Sequence, residues 1–232
     1  VEPLLTFPLP GSMPAKDVSD DPNLVFAPHN YAEVIGPKIL SIEDTFTIQA
    51  DTPTERGWPL WVGEYGVYRQ DAAATEILRR FAAAEDAHLA AGSAEWQWRQ
   101  RCGDPHTIAR PGTRPTGPVV QLNLVDCPDD RDIGPNDEFL AIVGRAYPRA
   151  VPGELAELRS DPATGALELA GTAPDDPDPK GPLVVWVPDR TPRLADITSE
   201  NLADLAVTEV EGGALVTATA TGGDYRLALA PR

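Results

Sequence analysis

The stretch from Trp58 to Tyr68 constrains the fold more than any other part of the chain. Leu60, Trp61, Val62 and Gly63 form a short apolar run that reads as a buried strand. The run stops abruptly at Glu64, and Tyr65-Gly66 turns the chain away. An unpaired carboxylate is costly inside a core. A strand that delivers one must therefore end where the charge can be solvated or put to use. At the top of a parallel α/β barrel, the carboxyl ends of the strands face the active site. The plain alternative is an ordinary acid at the end of a strand, and the neighbouring segments decide between the two.

Two further segments repeat the pattern. Leu24-Val-Phe-Ala27, bounded by Pro22 and Pro28, reads as a buried strand that delivers His29 and Tyr31. In extended chain these two side chains point to the same side. Ala94-Glu-Trp-Gln-Trp-Arg99 reads as an aromatic strand with Trp96 and Trp98 on one face. Gly36-Pro37 reads as a turn, and a helix is expected from about Ser41 to Ala50. A second helix, capped by Asp71, runs to about Ala91 and ends at Gly92. Its buried stripe is Ala74, Ile77, Leu78, Phe81 and Leu89, and His88 reads as structural or surface. The order strand, strand, helix, strand is a β/α alternation.

Residues 1–23 are irregular chain with several prolines and the acidic tract beginning at Asp17. Residues 103–136 read as one long loop, with a last helix from Pro135 to Arg145. Cys102 and Cys127 have no partners at metal-ligand spacing, because His106 with one distant cysteine makes a weak zinc set. No metal or cofactor is expected. A Cys102–Cys127 disulfide is expected instead. It closes a loop of about 25 residues, worth roughly 3–4 kcal/mol in the loop-entropy picture. It also points to an oxidising compartment and a secreted protein.

From about residue 151 the character changes. Short runs rich in Val, Leu and Thr (166–170, 183–187, 205–210, 214–219 and 225–229) are separated by Gly, Asp and Pro, including the loop at 174–179. Gly212-Gly213 reads as a hairpin turn. This half is expected to be an all-β sandwich without clustered catalytic groups, acting as a structural buttress.

The 232 residues suit one large domain or two modest ones, and 42% hydrophobic content supplies a core. Lys and Arg number 19 against 36 Asp and Glu, a net charge of -17. That excludes nucleic acid as a natural partner and disfavours an anionic membrane surface. A neutral substrate such as a sugar is compatible with it. The chain opens without methionine and reads as a mature fragment or a piece of a longer polypeptide.

A strand-end His-x-Tyr, a strand-end Glu-Tyr-Gly and a Trp-x-Trp segment, in that order, resemble the last three barrel strands of glycoside hydrolase family 5. The endoglycoceramidase-type members are the nearest likeness. Arg145-Ala-Tyr-Pro-Arg-Ala-Val-Pro-Gly153 resembles the segment that leads into their C-terminal β-sandwich. The resemblance implies an α/β fold: about strands 6–8 of a (β/α)8 barrel in residues 1–146, then a sandwich in 147–232. It implies a retaining β-glycosidase with Glu64 as nucleophile, and His29, Tyr31, Trp96 and Trp98 as candidates to bind a glycolipid or oligosaccharide; of the two tryptophans one, with Trp96 preferred, is expected to line the sugar site and the other to lie in the core. Such enzymes place the acid/base Glu after an Asn, and this chain contains no Asn-Glu dipeptide. Three strands cannot close an eight-stranded barrel. A second chain or N-terminal half carrying strands 1–5 and the acid/base is therefore expected. A β-glucanase acting on polysaccharide and a non-catalytic sugar- or surface-binding module are the competing readings.

Overall fold

The computed structural model describes residues 21, 23–35, 39–67, 72–103, 119–175, 181–189 and 194–231. Most of the N-terminal irregular stretch, the Gly36-Pro37 turn, the Asp71 cap, His106 and most of the 174–179 loop lie outside these residues. The chain divides into two compact units, Val1–Leu140 and Ala141–Arg232.

The first unit is α/β. Its sheet has three parallel strands in the order β1 (His29–Asn30), β2 (Trp61–Tyr65), β3 (Gly92–Glu95). The Leu24–Ala27 run joins this sheet less regularly than its composition suggests. Phe26 bridges Leu60 in parallel, but the continuous ladder begins only at His29. Pro28 between them has no N–H to give. Its carbonyl still accepts from Gly63 N at 2.9 Å, so the chain stays beside β2.

Helix α1 (Ile42–Arg56) opens with a reciprocal capping box, in which Ser41 Oγ accepts from Asp44 N and Asp44 Oδ2 accepts from Ser41 N. It runs six residues past the expected Ala50. Pro53 sacrifices a single ladder bond, and the stop comes at Gly57, whose φ of 67° suits glycine. Helix α2 (Ala72–Ala87) buries Ala74, Ile77, Leu78 and Phe81 as its spacing predicts. It ends earlier than expected. Leu89 takes the left-handed conformation at φ 51° and Ala90 N reaches back to Glu85 O, so Gly92 opens β3 instead of closing the helix.

Phe81 ties these elements together. Its ring lies 6.1 Å from that of Phe46 on α1 and 5.0 Å from that of Tyr65 on β2. His88 stacks on Phe46 at 5.9 Å, a packing role, and burial pushes its pKa down against the opposing charge of Asp51.

The expected long loop of 103–136 contains a hairpin, β4 (Asn123–Asp126) with β5 (Arg131–Pro135), ahead of α3 (Asp137–Val143). Its β5 is too polar to register as a strand by composition. The Cys102–Cys127 disulfide is formed and fastens this hairpin to the end of the Trp96–Arg99 segment. Cys102 N donates to Asp130 Oδ1, and Asn123 N donates to Trp98 O.

The second unit holds two four-stranded antiparallel sheets. One has the order β10 (Leu194–Glu200), β13 (Gly223–Pro231), β8 (Leu167–Ala173), β7 (Glu154–Ser160). The other runs β11 (Leu202–Val210), β12 (Gly213–Ala220), β9 (Leu183–Pro188), β6 (Tyr147–Ala150). Leu167, Leu169, Leu227 and Leu229 of the first sheet share one core with Leu183, Val185, Val187 and Val216 of the second. That is a β-sandwich. Strands β6, β7 and β10, absent from the expected set, each border their sheet on one side only. Edge strands bury little, so their composition stays mixed. The β11–β12 turn is Glu211-Gly212, one residue earlier than expected, with Gly212 at φ 79°.

Leu227 lies on an inner strand and is 1% exposed. Leu227→Ala is expected to cost about 2–5 kcal/mol, read as a lowered urea midpoint at unchanged m-value.

Candidate active site

The site sits where the three parallel strands end. Parallel pairing sets His29 level with Glu64 and Asn30 level with Tyr65. Glu64 is the fourth residue of β2, and its side chain is 32% exposed. Two groups from the β1 segment converge on the same oxygen. The Tyr31 hydroxyl donates to Glu64 Oε2 at 3.0 Å, and His29 Nδ1 lies 3.5 Å from that atom. Tyr31 is 3% exposed, so the bond is shielded on the tyrosine side. A phenol donor directed at one carboxylate oxygen fixes the orientation of the group. The His29 contact becomes an ion pair only when the imidazole is protonated.

The backbone that carries His29 and Tyr31 is held by side chains that sequence reading passed over. Gln49 on α1 donates Nε2 to His29 O at 2.9 Å. Asn30, fully buried, accepts from Ala32 N through Oδ1. Glutamine and asparagine in an α/β sequence give no pattern of their own, so nothing marked these two beforehand.

The tryptophans are placed differently from the expectation. Strand β3 ends at Glu95, so Trp96 and Trp98 lie in the bend beyond it and not on one face of a strand. Neither belongs to the core: Trp96 is 37% and Trp98 52% exposed. Trp96 N donates to Tyr65 O at 2.6 Å, which brings the segment against the residue after Glu64. Gly66 makes this approach possible, because a Cβ at that position would fall on the Trp96 carbonyl.

Glu95 is the other carboxylate at the end of a strand, level with Tyr65. The signal that singled out Glu64, an acid closing a short strand, would have found it as well. Both of its oxygens are buried without a hydrogen-bond partner among the described residues. Burial alone pushes its pKa up to about 8. A raised carboxyl is the profile of a general acid. A general acid must reach its substrate, however, and these oxygens are closed off from solvent. Among the described residues no group of three or more His, Cys, Asp or Glu side chains could hold a metal.

The raised Glu95 carboxyl gives stability a pH dependence. Unfolded, it ionises near 4.5; folded, it keeps its proton up to about 8. The folded state binds the extra proton, so the contribution is full below 4.5 and is lost as pH rises through 8. The slope approaches about 1.4 kcal/mol per pH unit for one proton. Glu95→Gln is expected to flatten this decline and to exceed the wild-type melting temperature at pH 9. Melting curves from pH 5 to 9 check it, and parallel wild-type and variant curves would contradict it.

No protein-family model matches this chain, and no curated protein matches it. Solved structures do. An endogalactoceramidase is 32% identical with a TM-score of 0.70, over 90% of this chain and 42% of its own. The endo-glycoceramidase II of Rhodococcus sp., in complex with ganglioside GM3, is 16% identical with a TM-score of 0.61, over 90% and 42%. Sterylglucosidase 1 of Cryptococcus neoformans is 15% identical with a TM-score of 0.60, over 90% and 38%. The latter two speak to the fold alone. This chain thus spans less than half the length of the structures it matches. The likeness to endoglycoceramidase-type members of glycoside hydrolase family 5, read from the His-x-Tyr, Glu-Tyr-Gly and Trp-x-Trp motifs, is met in solved structures across nine-tenths of the chain.

Proposed function

We propose that this chain supplies the nucleophile half of a retaining β-glycosidase site that cleaves sugar headgroups from glycolipids. The Tyr31 hydrogen bond to Glu64 at the carboxyl end of a parallel sheet is the observation that carries this reading. Both contacts on Glu64 described above fall on Oε2, which leaves Oε1 to act. In the first step a Glu64 oxygen bonds to the anomeric carbon as the glycosidic C–O bond breaks. The departing oxygen takes a proton from a second carboxyl about 5–5.5 Å away. In the second step that group, now a carboxylate, takes a proton from water. The water attacks the anomeric carbon, releasing Glu64 and a sugar of unchanged anomeric configuration. His29 hydrogen-bonds sugar hydroxyls beside the reacting carbon. The exposed faces of Trp96 and Trp98 offer apolar surface for stacking against pyranose rings.

The acid/base carboxyl comes from sequence outside this chain, which corresponds to about strands 6–8 of a (β/α)8 barrel. Parallel sheets are ordinarily covered on both faces. Here Val25 and Trp61 are each 40% exposed, and β1 and β3 have one neighbour apiece among the described residues. A preceding half or a second chain carrying strands 1–5 would cover those surfaces and close both edges. Glycolipid is the favoured substrate class, in keeping with the endogalactoceramidase that is 32% identical over 90% of this chain. The disulfide and the acidic charge suit an extracellular setting.

Two measurements test the reading. In native material, a polypeptide or segment of barrel-half size is expected to accompany this chain; a lone, stably folded chain of this mass would contradict the split barrel. In the completed protein, Glu64→Gln is expected to lower turnover of a ganglioside by roughly three orders of magnitude or more, with the melting temperature preserved. Wild-type turnover in that variant, or an inverted product anomer by NMR, would remove Glu64 as nucleophile.

A further inference from the structure

The chain leaving Tyr31 does not continue as a strand. Val34 N and Ile35 N both donate to Tyr31 O at 3.1 Å, so the residues after the tyrosine fold into a tight turn. Glu33, in the middle of that turn, sits at φ 63°, a region that crowds the Cβ of any residue but glycine. Such a conformation persists only when its surroundings hold it. Three contacts do so. Arg80 of α2 forks onto the Glu33 carboxylate, with Nη2 to Oε1 at 2.7 Å and Nη1 to Oε2 at 3.0 Å. Ile42 N, in the first turn of α1, also donates to Glu33 Oε1.

The same guanidinium reaches Glu43 on α1, with Nε to Oε1 at 2.8 Å and Nη2 to Oε2 at 2.5 Å. Arg80 therefore joins three pieces of chain: the turn behind Tyr31, the start of α1, and α2. Helix α2 is the element that follows β2, the strand bearing Glu64. The donor and the acceptor of the Tyr31–Glu64 bond thus arrive on separate segments, and one planar, always-charged side chain spans them. The Arg80 and Glu33 side chains are only 30% and 23% exposed, so solvent does little to loosen the fork.

We propose that Arg80 is a positioning residue for the Tyr31–Glu64 pair, acting through Glu33 and the turn that follows β1. The inference rests on the reading of Glu64 and Tyr31 given above. It adds a residue that touches neither the substrate nor the nucleophile.

A double-mutant cycle in the completed protein tests it. Arg80→Gln is expected to lower kcat by about tenfold with a much smaller change in KM, because misplacement acts on the reacting geometry. Tyr31→Phe is expected to show the same split, a lowered kcat at little-changed KM. In a Tyr31→Phe background the Arg80 change should add little. Additive losses overturn the proposal, as does an Arg80→Gln variant that loses thermal stability and keeps the wild-type kcat. If Tyr31→Phe itself leaves kcat unmoved, the reading of Tyr31 fails and the positioning role goes with it. If Tyr31→Phe acts and Arg80→Gln does not, the positioning role alone falls. Glu33→Gln, of matching shape but without the charge for the fork, carries the same comparison should Arg80→Gln fail to fold.

Discussion

The parallel register between β1 and β2 is the constraint on which the candidate site depends. With His29 level with Glu64, the side chains of the β1 segment meet the carboxylate from one side, and Tyr31, two residues on, still reaches the same oxygen. Because side chains alternate along a strand, a slip of one residue would send His29 and Glu64 to opposite faces. That register is held from several directions at once. Pro59, Phe26 and Pro28 carbonyls exchange backbone bonds with the facing chain, and Gln49 holds the His29 carbonyl from the helix side.

Behind the strand ends lies a layer of unlike character. Tyr65 and Phe46 pack around Phe81, and this aromatic contact sets the distance between the sheet and its two helices. Beside it are buried polar groups with incomplete partners, among them Asn30 Nδ2 and both Glu95 oxygens. Groups of this kind lower stability where they sit. Others lie elsewhere, on Gln49, Gln100, Gln121 and Tyr225 among them, so such groups are spread through the described residues and do not by themselves mark the candidate site.

The sequence disclosed the elements whose burial is strong and whose chemistry is local. Leu60–Glu64 announced its strand and its acid, the stripe on α2 announced its helix, and Cys102 and Cys127 announced their bridge. What stayed hidden depended on neighbours that are remote in the chain. Trp96 leaves its strand because Tyr65 O and the Asn123 hairpin capture the segment from outside. The strands β6, β7 and β10 lie at sheet edges, where a mixed composition is sufficient. Glu33 and Arg80 stand 47 residues apart, and no periodicity relates them. Glu95 is the instructive case. Its strand-end signal matched that of Glu64, and only the surrounding packing separates a half-exposed carboxylate from a buried one.

Gly66 carries a mutational consequence. The residue has no chemical part in the site, yet the space its side chain would occupy is already filled by the Trp96 backbone. Alanine, the smallest replacement, would have to displace main chain and not merely a rotatable side chain. Position 66 therefore admits a single residue type. A change there would be felt first in the tryptophan segment, without altering any group that touches Glu64.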